Sequence, residues 1–119
     1  MDNYHKLVET IKLVASAPNI QLSAIPEQSC RPDEIAFCLE EIMPLLKDFT
    51  KKQIITTTVS SKIEEINQTI LSFEKQDWTE MALTCSPKWE NVRATAVSIL
   101  ELLGEKAVAP DLFWISDIF

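Results

Sequence analysis

The chain contains a single glycine, Gly104, in 119 residues. A globular domain ordinarily holds about 7% glycine. Tight hairpins and many-turned β folds depend on residues that adopt positive φ, which glycine does most readily. The scarcity of glycine therefore favours helices joined by short loops. It also excludes the glycine-rich loops that bind nucleotide phosphates.

The clearest helix lies at 86–104, and we expect it to be the central helix of the core. Ser86 suits the N-cap and Pro87 the first helical position. Gly104 falls where a left-handed residue commonly ends a helix. Apolar residues recur at spacings of three and four over most of the circumference, which indicates a helix covered on several sides. They are Trp89, Val92, Ala96, Val97, Ile99, Leu100, Leu102 and Leu103.

The same periodicity predicts four other helices and one short helical turn between Pro18 and Pro32. Pro44 should kink or split the second of these helices after Met43. The four helices span 2–17, 33–49, a segment that begins between Lys52 and Ser61 and runs through Phe73, and 77–85.

A capping pattern predicts one helix start, at Asp77, and allows another at Ser61, the last residue of the range 52–61. Ser61 with Glu64, and Asp77 with Glu80, have the spacing of a capping box. The β-branched run at 54–59 resembles a strand in isolation, but no second strand exists to pair with it. In the short fourth helix, the predicted buried side consists of Trp78, Met81, Ala82 and Cys85.

Together these patterns predict an all-α fold, a compact bundle or short helical-hairpin stack of about five helices in a single domain, 1–119. The C-terminal tail, 111–119, is rich in large apolar residues and is expected to pack on the bundle. The alternative is that it forms a contact patch for a partner or a second copy.

No apolar run approaches the roughly 18–20 residues of a membrane span, and the N-terminus lacks an apolar signal core, so we expect a cytoplasmic protein. The three widely spaced cysteines are expected to be reduced and packed as small hydrophobes.

Charge is the most informative global property. Eighteen acidic and eleven basic residues give a net charge of −7. This balance disfavours nucleic acid and anionic membranes as partners, because both require Lys and Arg. It favours either solubility alone or attraction to a basic protein.

The chain shows no recognisable catalytic or metal-binding pattern. His5 is the only histidine, and three isolated cysteines supply no metal-ligand spacing. Adjacent acids at 40–41 and 64–65 point about 100° apart on a helix, which is typical of a solvated face. We therefore expect no enzyme activity, no cofactor and no metal site.

Two resemblances bear on function. Residues 90–100, followed by Leu103 and Gly104, resemble a helix of a HEAT-type repeat, in which Val, Arg and small aliphatic residues lead to a Leu-Gly close. That resemblance implies stacked helical hairpins with a concave binding face. In size, acidity and single-domain organisation, the chain is also similar in type to bacterial immunity proteins, such as those that neutralise contact-dependent inhibition toxins. This second resemblance implies a protein that binds and blocks a toxin.

The leading hypothesis is an immunity protein whose acidic surface binds a basic, nuclease-type toxin. The alternative is a structural or adaptor module that self-associates, for example as a homodimer, or docks through its apolar tail. The candidate partner-binding residues are Glu40, Glu41, Glu64, Glu65, Glu74, Asp77 and Glu80.

Overall fold

A computed structural model describes residues 2–25, 30–108 and 110. Within these residues the secondary structure is helical, with no strand, so the predicted all-α class is confirmed. The four longest helices are α1 (Asn3–Ala15), α3 (Arg31–Ile42), α5 (Thr57–Leu71) and α7 (Pro87–Leu103). The shorter elements are α2 (Pro18–Ala24), α4 (Leu46–Lys51), α6 (Glu80–Cys85) and the 3₁₀ turns Met43–Leu45 and Lys75–Trp78.

The four long helices form a closed ring of neighbours. α1 packs against α3, α3 against α5, α5 against α7, and α7 against α1, which it contacts most extensively. Each helix directs an apolar stripe into the shared centre, as in a helical bundle. The core includes Leu7, Ile11, Ile35, Ile63 and Ile99, all of which are fully buried. The short helices α2, α4 and α6 cover the ends of this ring and lie against α6, α5 and α7, respectively.

The predicted ends of α7 are confirmed. The Ser86 hydroxyl accepts a hydrogen bond from the Lys88 amide at 3.2 Å. Gly104 has φ +73°, and the amide of Glu105 reaches back to the carbonyl of Leu100 at 2.9 Å. This is the Schellman arrangement, which satisfies carbonyls that the helix leaves unpaired. The prediction was wrong for Leu102, which lies on the outward side of the helix and is half exposed.

The predicted break at Pro44 is also confirmed, because α3 ends at Ile42 and a 3₁₀ turn leads into α4. The short turn predicted between Pro18 and Pro32 is α2. Buried Gln21 ties α2 to α1, since its amide group donates to the carbonyls of Leu13 and Val14 at 3.1 and 3.2 Å. These carbonyls lie in the last turn of α1, where helical partners are lacking.

The start of α5 lies within the predicted range 52–61, and one other predicted start was wrong. α5 begins at Thr57, four residues before Ser61, because the Thr56 hydroxyl accepts the amide of Val59 at 3.1 Å. The segment 77–85 is divided into a 3₁₀ turn and α6, whose cap is Thr79.

The predicted buried side of the fourth helix was partly wrong. Leu83 is its fully buried residue, while Met81 and Cys85 are exposed. The division at Thr79 rotates α6 relative to the preceding turn, so a single helical periodicity does not hold across it.

Candidate functional site

A shallow groove between α3 and α5 is the most distinctive surface feature in the described part of the chain. It consists of two cavities of about 420 and 530 Å³, which share Ala36, Glu40 and Trp78. We call it the α3–α5 groove. The remaining lining residues are Asp33, Glu34, Phe37, Met43, Asn67, Ile70, Leu71 and Phe73.

The α3 wall follows from helical spacing. Asp33, Phe37 and Glu40 are separated by four and three residues, so they lie along one face of α3. Phe37 is 39% exposed, between two carboxylates. An exposed aromatic ring flanked by acids is thus presented along two turns of the helix.

The α5 wall is built in the same way. Asn67 and Leu71 are four residues apart, and Glu64 lies one turn before Asn67 on that face. The Leu71 side chain is 69% exposed at the C-terminal end of α5. An apolar side chain in solvent therefore faces the groove, with the carboxylate of Glu64 two turns away along the same face of the helix.

Trp78 lines both cavities of the groove and is held by an aromatic cluster. Its ring makes edge contacts with Phe73 and with Trp89, at centroid distances of 5.4 and 6.2 Å. Phe73 also contacts Trp89 at 5.0 Å. Trp89 is fully buried in α7, so the groove wall is anchored to the core.

Asp77 organises the turn that carries Trp78. Its carboxylate accepts the amide of Glu74 at 2.8 Å and the ammonium of Lys88 at 2.9 Å. Its backbone carbonyl accepts the indole N–H of Trp89 at 2.8 Å. The amide bond from Glu74, reinforced by the Lys88 ammonium, lowers the pKa of Asp77 below its ordinary value. The same ion pair raises the pKa of Lys88.

The predicted partner-binding residues fall into two groups. Glu40 lines the groove, while Glu41, Glu64 and Glu65 are exposed nearby on α3 and α5. The ion pairs found among the described residues involve none of these four carboxylates. They are therefore available to a cationic partner.

The other three predicted residues are engaged within the protein. The Asp77 side chain is only 7% exposed and pairs with Lys88, which leaves it inaccessible to a partner. Glu80 pairs with Arg31 at 3.4 Å but is half exposed. Glu74 accepts the side-chain amide of Gln76 at 2.6 Å. We therefore leave Asp77 out of the proposed binding surface.

Reasoning from the sequence missed Asp33 and Glu34, which line the groove beside Glu40. It also missed the apolar floor, including Phe37 and Leu71. The signal was present in the spacing of Asp33, Phe37 and Glu40, since an aromatic residue on a polar helix face has no place in the core. The prediction considered only acidic residues and therefore did not include Phe37.

The thiols differ in their surroundings. Cys38 is buried as predicted, and burial raises its pKa to about 12. Cys30 and Cys85 are exposed, so the expectation that all three pack in the core was wrong. Within the described residues, no three His, Cys, Asp or Glu side chains lie close enough to hold a metal ion.

Other features of the sequence remain predictions. The apolar tail 111–119 lies outside the described residues, so its packing is not part of this structure. No helix in the described part of the chain has the length and apolar character needed to cross a bilayer.

Comparison with protein-family models, with curated proteins and with solved structures finds no match to the chain. The groove and its charges are therefore the features of the molecule that bear on its function.

Proposed function

We propose that this protein is a non-enzymatic inhibitor of the bacterial immunity type, which binds and blocks a basic, nuclease-type toxin in the cytoplasm. The observation that carries the proposal is an acidic surface on which four carboxylates take part in none of the ion pairs found among the described residues, namely Glu40, Glu41, Glu64 and Glu65. Between Asp33 and Leu46 the chain has four carboxylates and no Lys or Arg. Between Ile63 and Glu74, on the facing helix and its end, it has three more and again no basic residue.

Such a surface suits rapid capture of a cationic protein. Opposite charges steer the encounter and can raise association rates from about 10⁵–10⁶ to about 10⁸–10⁹ M⁻¹s⁻¹ at low salt. A rigid helical scaffold presents these charges with little ordering cost on binding. Rapid and complete capture is what an inhibitor of a lethal enzyme requires.

The test begins with capture of partners from an extract of the source cell by the purified protein, followed by a wash of rising ionic strength. The expected result is one stoichiometric basic protein, released by salt, whose expression alone stops growth. Co-expression of this protein should restore growth, and one equivalent should abolish the partner's nuclease activity in vitro.

Charge reversal sharpens the test. Glu40→Lys with Glu64→Lys should lower the association rate about tenfold at low salt. The control, Glu90→Lys with Glu101→Lys, makes the same change in net charge on the exposed side of α7 and should change the rate far less. Equal effects of the two pairs would show that net charge, and not this surface, governs binding.

Two outcomes would refute the proposal. A captured partner that remains active when fully bound would exclude inhibition. Recovery of the protein alone, as a homodimer or larger assembly, would favour the alternative structural or adaptor role.

A further inference from the structure

We propose that the α3–α5 groove binds one amphipathic helical segment of a basic protein, with its apolar side chains against Phe37, Leu71 and Trp78 and its Lys or Arg side chains against Asp33 and Glu40. This inference rests on the proposed function and adds the binding mode. The proposed partner segment is a helix that carries apolar residues and, before and after them along the same face, basic residues. This is the helix-in-groove mode of recognition.

The floor of the groove is the first argument. Exposed Phe37 lines one of the two cavities, exposed Leu71 lines the other, and Trp78 lines both. The two cavities, about 420 and 530 Å³, lie within the roughly 300–1,000 Å³ typical of binding pockets. Each is large enough to take apolar side chains of a partner, whereas neither encloses a whole ligand.

The spacing of the acids is the second argument. Asp33 and Glu40 are seven residues apart on α3, or about 10 Å along the helix axis at about 1.5 Å per residue. A partner helix that lies along α3 meets both carboxylates with basic residues at positions i and i+7. Apolar residues at i+3 and i+4 then fall opposite Phe37, midway between them.

Charge selects the occupant. A second copy of the chain carries a net charge of −7, and the segment 111–119 contains two Asp residues and no Lys or Arg. Both would bring negative charge to an acidic rim, which costs free energy. A basic amphipathic segment can pair its Lys or Arg side chains with the acids at the edge of the groove and pack its apolar side chains against the apolar lining.

The experiment uses a synthetic probe, an end-capped peptide of three repeats of Lys-Ala-Ala-Leu-Leu-Ala-Ala. The peptide is titrated into the ¹⁵N-labelled full chain at low salt, and amide chemical shifts are followed. The largest shifts should fall on the groove residues, chiefly Ala36, Phe37, Glu40, Leu71 and Trp78. A peptide with Glu in place of Lys, and an isomer with its Leu residues spread around the helix, should bind at least tenfold more weakly.

Two pairs of variants test the contacts. Leu71→Ser should weaken peptide binding about fivefold and Glu40→Gln about threefold. Their controls are Leu102→Ser and Glu101→Gln, an exposed leucine and an exposed acid on α7; each should change the affinity less than twofold. All four positions are exposed, so the variants are expected to fold.

The outcomes separate this inference from the proposed function. Shifts that map away from the groove, equal binding of the Glu peptide, or equal effects of Leu71→Ser and Leu102→Ser would overturn the groove assignment. If a basic toxin is nevertheless neutralised, the proposed function stands without it. If the peptide binds in the groove but no toxin is neutralised, the proposed function fails and the binding mode stands.

Discussion

Replacement of Trp89 by Phe tests the link between the core and the groove wall. Trp89 is fully buried, and its indole N–H donates to the carbonyl of Asp77 at 2.8 Å. Phe retains an aromatic ring that can contact Phe73 and Trp78 but removes the donor and part of the ring volume. The substitution therefore isolates one hydrogen bond and one small cavity.

The expected loss of stability has two parts. A buried carbonyl left without its donor costs about 1–3 kcal/mol. The missing part of the indole leaves roughly 40 Å³, which at about 24 cal/mol per Å³ costs about 1 kcal/mol. The sum is about 2–4 kcal/mol, smaller than the roughly 5–15 kcal/mol stability of a typical domain, so the variant should still fold.

Urea unfolding, followed by far-ultraviolet circular dichroism, measures this loss as a lower midpoint with an unchanged slope. Trp78→Phe is the matched control, because Trp78 is only partly buried. It should cost less than about 1 kcal/mol. A loss below about 1 kcal/mol for Trp89→Phe, or equal losses for both variants, would refute the role assigned to Trp89.

Two further predictions concern titration. The Asp77 pKa is lowered in the fold from its ordinary value of 3.8, so its ion pair and amide bond stabilise the protein above that value and are lost as the pH falls through the lower folded pKa. The stability difference between the wild type and Asp77→Asn should therefore shrink as the pH falls from 5 towards 2; a constant difference in urea titrations would contradict this. Burial and a pKa of about 12 should protect Cys38 from iodoacetamide at pH 8, while exposed Cys85 is alkylated. Mass spectrometry of the native and denatured protein distinguishes the two thiols, and equal labelling of both in the native state would contradict burial of Cys38.

Helical periodicity was enough to predict the long elements. The stripes on α1, α3, α5 and α7 repeat over many turns, so the pattern is strong and its meaning is local. Helix ends were also predictable where the cap is a single side chain or a proline. Ser86, Pro44 and Gly104 act as expected, since Ser86 acts through its own hydroxyl and the other two act through their own backbone geometry.

The start that the sequence left open and the start that was predicted wrongly both fall where several residues compete for one role. Thr56 and Ser61 can both cap a helix, and α5 begins at the earlier one. Asp77 could have capped a helix with Glu80, but its carboxylate accepts the backbone amide of Glu74 and the ammonium of Lys88, which fixes the 3₁₀ turn. Local spacing does not rank such alternatives, because the choice depends on contacts made with α7.

The candidate site shows the same division. Reasoning from the sequence found Glu40 and Glu64 as exposed acids, because each lies on the polar face of its own helix. It could not show that α3 faces α5. It also could not show that Phe37, Leu71 and Trp78 form an apolar lining between the acids of α3 and those of α5.

The sequence by itself determined the helical class, the positions of the four long helices and the excess of negative charge, because periodicity, capping and composition are properties of short segments or of the whole chain. Tertiary structure alone decided that Asp77 is buried in an ion pair and that exposed Glu40 lines a cavity together with residues of α5. The physical reason is that burial and pairing depend on which helix faces bring distant residues together. The groove exists only because α3 and α5, which are distant in sequence, are packed side by side.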